Sequence, residues 1–174
     1  MATALKILSD EHKNILKVID SMLKECDSLK SGKEINSKFF KSAIKFVREY
    51  ADKFHHLKEE DILFVEMCKD PTQMHCNPTE QMLFEHEMGR NFIKELEKGV
   101  EEKNKDKIIE NARGYSSLLQ EHISKEDNIL YPLANQALNQ ATKKEMLEKF
   151  KQIEKKFTKE KDNYLSFVSS LSKK

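Results

Sequence analysis

Two short stretches hold an imidazole and a carboxylate four residues apart, His56-Leu-Lys-Glu-Glu60 and His122-Ile-Ser-Lys-Glu126. On a helix that spacing places both side chains on one face, one turn above the other, so both reach a single point. Two further histidines, His12 and His86, stand alone inside apolar stripes. Imidazole nitrogen with carboxylate oxygen suits iron, zinc or manganese. The six groups His12, His56, Glu60, His86, His122 and Glu126 exceed what one tetrahedral zinc takes, and two metal ions bridged by the two glutamates would use them all. A lone histidine in a stripe is ordinarily a hydrogen-bonded core residue, and a single H-x-x-x-E pair is as readily a surface ion pair. The joint pattern, with a contribution from each of four helices on its core face, argues for metal. Those polar groups buried without partners would each cost several kcal/mol.

The elements that position these residues read as helices. The first has apolar residues or histidine at Leu5, Leu8, His12, Ile15, Ile19, Met22, Cys26 and Leu29, and stops near Ser31-Gly32. A second opens at Asn36-Ser37 and runs through Phe39, Ala43, Val47, Tyr50, Phe54, Leu57 and Phe64 to Asp70-Pro71. Asn77-Pro78-Thr79-Glu80 starts a third, with Met82, Leu83, His86, Ile93, Leu96 and Val100. A fourth carries Ile108, Ala112, Tyr115, Leu119, His122, Ile123, Ile129 and Leu130 until Pro132. A fifth begins at the capping box Thr142 to Glu145 and is amphipathic through Leu171. Short connections predict an all-α, antiparallel up-down-up-down four-helix bundle over residues 1–138. Residues 139–174 would form a C-terminal helix that packs on the bundle or on a partner, as in a homodimer. Within the second helix, about 100° of rotation per residue puts His56 and Glu60 nearer the apolar face and turns His55 and Glu59 outward.

Composition sets the limits. The chain has 174 residues, enough for one domain with its own core, and 31 Lys and Arg against 30 Asp and Glu. A net charge of +1 offers no bulk attraction to nucleic acid or an anionic membrane. No apolar run is long enough to span a bilayer and no leader pattern is present, so the expected location is cytoplasmic. Three cysteines, Cys26, Cys68 and Cys76, are too few and too irregular for a disulfide framework, and the His75-Cys76 pair fits no zinc signature. No E-x-x-H, H-E-x-x-H, phosphate loop or nucleophile elbow occurs.

Taken in order, His12 in Leu8-Ser-Asp-Glu-His12, the pair in Phe54-His-His-Leu-Lys-Glu-Glu60, His86 followed by Arg90, and the pair running from His122 on to Leu130-Tyr-Pro132 resemble the hemerythrin-like, or HHE cation-binding, proteins. The resemblance covers roughly residues 3 to 138. It implies two non-haem irons bridged by Glu60 and Glu126 with an oxo, hydroxo or water ligand, able to meet dioxygen, nitric oxide or peroxide. Oxygen-carrying members have a second histidine one turn after the third-helix ligand and an aspartate in the last motif; here Arg90 and Glu126 stand there. The remaining set of four His and two Glu is similar to that of di-iron proteins associated with repair of damaged iron centres. The expected roles are therefore binding or sensing of a small molecule or of iron, reduction of peroxide, dioxygen or nitric oxide, or a metal-stabilised interaction module. Tyr115, two turns before His122, is expected either to offer its hydroxyl to the site or to be a core tyrosine with its hydroxyl at the rim, and Arg90 to form an ion pair at the rim or with a bridging glutamate.

Overall fold

A computed structural model describes residues 3–69 and 78–171; Asp70-Pro71, His75, Cys76 and Asn77 lie outside the described residues. All regular structure described is helical. Helix α1 is Ala4–Lys30, capped by the Thr3 side chain, which accepts from the Lys6 amide. It ends where Gly32 takes a φ of 92°, the left-handed conformation that a residue with a Cβ adopts only at a cost. Helix α2 opens at Ser37–Phe46 with Asn36 as its cap, as expected, and continues to Phe64–Cys68. Its middle is different. Val47–His56 and Glu59–Leu63 are wound as π-helix, whose i→i+5 bonds make a wider turn.

Helix α3 is Thr79–Glu101. Helix α4 runs Lys105–Lys125, takes a π turn at Glu126–Leu130 and resumes at Tyr131–Ala137. Pro132 therefore does not end it. The missing proline N–H and the crowding of its ring against the preceding turn fall just after the widened segment, where the i→i−4 ladder is already interrupted. Helix α5, Gln140–Lys156, starts at Asn139, whose side chain accepts from the Thr142 amide, a little before the predicted capping box. It breaks at Phe157 into α6, Thr158–Leu171, so the expected single fifth helix is two.

Helix α4 packs along both α1 and α3, α2 touches α1 and α3, and α5 and α6 lie on α1. Gly99 permits the α3–α4 approach, since a Cβ there would stand 3.1 Å from the Ile108 backbone nitrogen. Helix α6 is held by aromatic contacts: Tyr164 meets Phe46 edge-on with ring centroids 6.3 Å apart, and Phe167 meets Phe39. Most of the predicted stripes are buried. Ile129 (61% exposed) and Leu83 (42% exposed) are not; Ile129 sits in the π turn, where a 100° step no longer predicts direction.

The buried apolar residues form two clusters. One includes Ile15, Tyr50, Phe54, Ile93, Tyr115, Leu119 and Ile123, the other Leu8, Ile62, Leu63, Met82, Leu130 and Phe150. In α1, α2 and α3 the histidines and their carboxylates fall between these clusters along the chain; in α4 Glu126 does, with His122 just before Ile123. A polar layer thus crosses the core, and its cost must be met by partners within it. No helix among the described residues is long and apolar enough to cross a membrane.

Candidate metal centre

The layer contains His12, His55, His56, His86, His122, Glu59 and Glu126, all buried, with Glu59 and Glu126 at 0% exposure. Ligand-capable atoms of His12, His55, Glu59 and Glu126 lie within 4.8 Å of one another, and so do those of His56, His86 and His122. Five of the six predicted site residues are brought together. Glu60 is not. Its side chain is 25% exposed at the rim, where Oε1 accepts from His86 Nδ1 and from Arg90, each at 2.7 Å.

The expectation that His55 and Glu59 face outward is overturned. The α-helical rotation used to orient this stretch does not apply through Val47–His56, because a π turn advances less per residue. The retarded rotation brings His55 towards the direction an α-helix would give Phe54, which is core. His56 remains buried as well, so the adjacent imidazoles straddle the layer, one serving each cluster.

A repeat in the chain shows the same register. Helices α1 and α3 carry Glu11-His12 and Glu85-His86; α2 and α4 carry His55-x-x-Lys58-Glu59 and His122-x-x-Lys125-Glu126. Contacts follow the repeat. His55 Nδ1 donates to Glu11 Oε2 at 2.8 Å, as His122 Nδ1 does to Glu85 Oε2 at 2.8 Å. Lys58 and Lys125 each bond the same glutamate as the histidine on their own helix. His12 Nδ1 meets Asp127 at 3.2 Å, as His86 Nδ1 meets Glu60. Tyr131 stacks on His12 and Phe64 on His86. Pairing Lys58 with Lys125 in the sequence would have selected His55 and Glu59, whereas the His56 register sets Glu59 against Lys125.

Each of these four imidazoles spends Nδ1 on a carboxylate, which fixes the tautomer and leaves Nε2 as a lone pair facing inward. His56 likewise puts Nδ1 towards Asp52, at 3.4 Å. The inward nitrogens are crowded: His12 Nε2 lies 3.0 Å from His55 Nε2, and His86 Nε2 lies 3.0 Å from His122 Nε2. Glu126 Oε1 is 3.1 Å from His122 Nε2 and its Oε2 is 3.3 Å from His12 Nε2, yet neither oxygen makes a hydrogen bond, and Glu59 Oε2 has none either. Four imidazole nitrogens and three carboxylate oxygens converging at these distances call for positive charge between them, as metal cations or as protons. The donor set, nitrogen and oxygen, is that of iron, zinc or manganese.

Without metal, protons carry part of that charge. Burial alone would lower His12, but Asp127 and Glu126 raise it to about 9. Burial, followed by the charge of Glu126, pushes Glu59 well above the carboxylate range. Although burial opposes it, the His122 charge holds Glu126 well below that range. Burial and the His12 charge push His55 down.

Around this centre, Arg90 forms the rim ion pair expected of it, with Nε donating to Asp52 at 2.8 Å and an arm to Glu60. Tyr115 is buried, and its hydroxyl has no hydrogen-bond partner. Tyr131 donates its hydroxyl to Glu59 Oε1 at 2.5 Å. That role was not foreseen, and the one signal for it was its place five residues after Glu126, matching Phe64 after Glu59. Residues 3–134 match the sequence pattern of the hemerythrin HHE cation-binding domain. No curated protein and no solved structure matches the chain.

Proposed function

The chain belongs to the hemerythrin HHE cation-binding family, and within it we propose a protein that holds two iron ions in an up-down four-helix bundle and binds or senses dioxygen, nitric oxide or peroxide. His12 and His55 would serve one ion and His86 and His122 the other. Glu59 and Glu126, rather than Glu60, would bridge them. The observation that carries this reading is the set of inward Nε2 atoms, each fixed by a carboxylate on Nδ1, facing three glutamate oxygens that have no hydrogen bond.

Bound iron would supply reversible electron exchange with an oxygen or nitrogen ligand. The chain supplies the rest. Glu11, Glu85, Asp127 and Glu60 orient the imidazoles and raise their basicity. The apolar clusters on either side exclude water, which strengthens every charge interaction in the layer. His56, stacked on His86 with centroids 3.7 Å apart and with a ring nitrogen within reach of those of His86 and His122, would be a further donor on that side.

The test is metal analysis of anaerobically prepared protein, followed by stopped-flow spectra after adding oxygen, nitric oxide or peroxide to the reduced form. Close to two irons per chain and a persistent adduct support the proposal. Steady turnover with a reductant would make the protein an enzyme instead. Absence of any bound transition metal from iron-replete cells would sink it.

A further inference from the structure

The two halves of the repeat are finished differently on the outside of the bundle. Helices α5 and α6 pack on α1, and α5 seals Lys58 at 0% exposure beside Phe150 and Glu154. The matching lysine of the other half, Lys125, is 37% exposed, and Phe84, on the neighbouring helix, is 60% exposed. The outer face of α3 and α4 carries no such cover.

That face has the make-up of one that is covered. Phe84 and Met88, four residues apart, stand on one side of α3. Met88 borders a groove of about 260 Å³ with Asn91, Phe92 and Asn111. Phe92 lies across Gly114 of α4, where a Cβ would stand 2.5 Å from its ring, so the two helices present a nearly flat surface. Leu118 continues the apolar strip along α4, and the polar residues beside it, Asn91, Asn111 and Ser117, bear no charge to be stripped of water.

Two charges on α4 indicate what docks there. Glu121 is exposed and pairs with no cation among the described residues, while Lys125, one turn later, bonds Glu85 and keeps a side towards water. An acid and a base one turn apart are complementary to their own antiparallel copy: a two-fold axis between them sets Glu121 of each chain opposite Lys125 of the other, twice. Phe84 adjoins Glu85, which bonds Lys125, so both phenylalanine rings approach that axis. Helices of 23 and 21 residues run about 30–35 Å, and two side by side are about 20 Å across, so the face offers roughly 600–700 Å² per copy, close to the ~800 Å² per partner of a standard interface.

We propose that the outer face of α3 and α4 is a homodimer interface, on which a second copy of this chain docks by two-fold symmetry with Phe84 at the centre and reciprocal Glu121–Lys125 pairs around it. The second copy then covers Lys125 as α5 covers Lys58. An interface of this size fits reversible association at about micromolar concentration, and in the dilute monomer Lys125 stays in water. The inference is independent of the metal reading, because none of these side chains is a candidate ligand.

Sedimentation equilibrium of the purified full-length chain from about 1 to about 500 μM tests it, with metal content measured on the same samples. A monomer–dimer equilibrium is expected. Phe84→Ser should weaken it by tenfold or more. Glu121→Lys should do the same at low salt and recover in part at high salt, where the new like-charge contact is screened. Leu83→Ser, 42% exposed but turned about 100° away on the same helix, should leave it unchanged. A monomer at every concentration would overturn the proposal. So would a dimer indifferent to folded Phe84→Ser and Glu121→Lys, which would place the contact elsewhere, and so would equal weakening by Leu83→Ser and Phe84→Ser, the mark of unspecific apolar association. Absence of metal from the unaltered protein would remove the metal reading and leave the mass measurement valid.

Discussion

Tyr131 donates its hydroxyl to Glu59, while Phe64, at the matching place in the repeat, gives Glu126 nothing. The two halves of the centre are otherwise built alike, so this pair of residues makes the carboxylates unequal: Glu59 has one oxygen engaged, and Glu126 has neither. Replacing Tyr131 by Phe should therefore remove one hydrogen bond to a charged group, worth about 1.5–3 kcal/mol where the partner stays ionised. The expected result is a change in the near-ultraviolet spectrum of the oxidised iron-loaded protein with metal content unchanged. An identical spectrum would show that the hydroxyl does not act through Glu59 on the bound metal.

The register of α2 gives a second prediction. His55→Ala and Glu59→Ala should each lower metal occupancy severely, because they remove inward donors. Glu60→Ala, which frees His86 Nδ1 and Arg90, should lower metal affinity by about 10- to 100-fold, as loss of an orienting carboxylate does. Metal titrations of the three variants decide it; a larger loss for Glu60→Ala than for Glu59→Ala would restore the rim glutamate as a ligand.

That register also marks how far the sequence could be read. Helix limits followed from local signals, Asn36 as a cap and Gly32 as a stop, which act within a turn. His12, His86, His122 and Glu126 were legible because their helices rotate regularly up to those positions. His55 and Glu59 were not, since the π winding upstream changes direction without any mark in the apolar pattern. The information lay elsewhere, in Lys58 and Lys125 recurring before the two glutamates, and in Glu11 and Glu85 recurring before the two histidines.

Metal uptake should release protons. In the metal-free protein His12, raised to about 9, carries a proton at neutral pH, and burial beside Glu126 makes Glu59 harder to ionise than an ordinary carboxylate. The His12 proton must be lost for ligation, so affinity should climb as pH rises towards about 9 and fall on acidification. An indicator-dye titration in weak buffer at neutral pH should record at least about one proton released per fully loaded chain. Release of none would mean that the layer is already deprotonated before metal arrives.

The last prediction separates the two lysines of the repeat. Lys58 is sealed at 0% exposure under α5, over the Phe54 ring, between Glu11 and Glu154, whereas Lys125 is 37% exposed. Lys58→Met keeps the stem packed but strands Glu11 in the core; loss of a buried partner of this kind costs about 3–5 kcal/mol. Lys125→Met, in contact with water, should cost less than about 1 kcal/mol. The pH dependence has a definite sign. Burial already raises Glu11 to about 7 despite Lys58, so folding binds a proton there, and stability falls as pH climbs from the unfolded carboxylate value through about 7. Without Lys58 the folded value moves higher still, and the penalty extends upward. Urea unfolding of the metal-free protein should therefore show a small deficit for Lys58→Met at about pH 6, where Glu11 is protonated in both proteins, and a larger one at about pH 8. A deficit that is the same at both values would assign the loss to packing against Phe54 and Phe150, and equal losses for the two lysines would show that α5 does not seal this half of the centre.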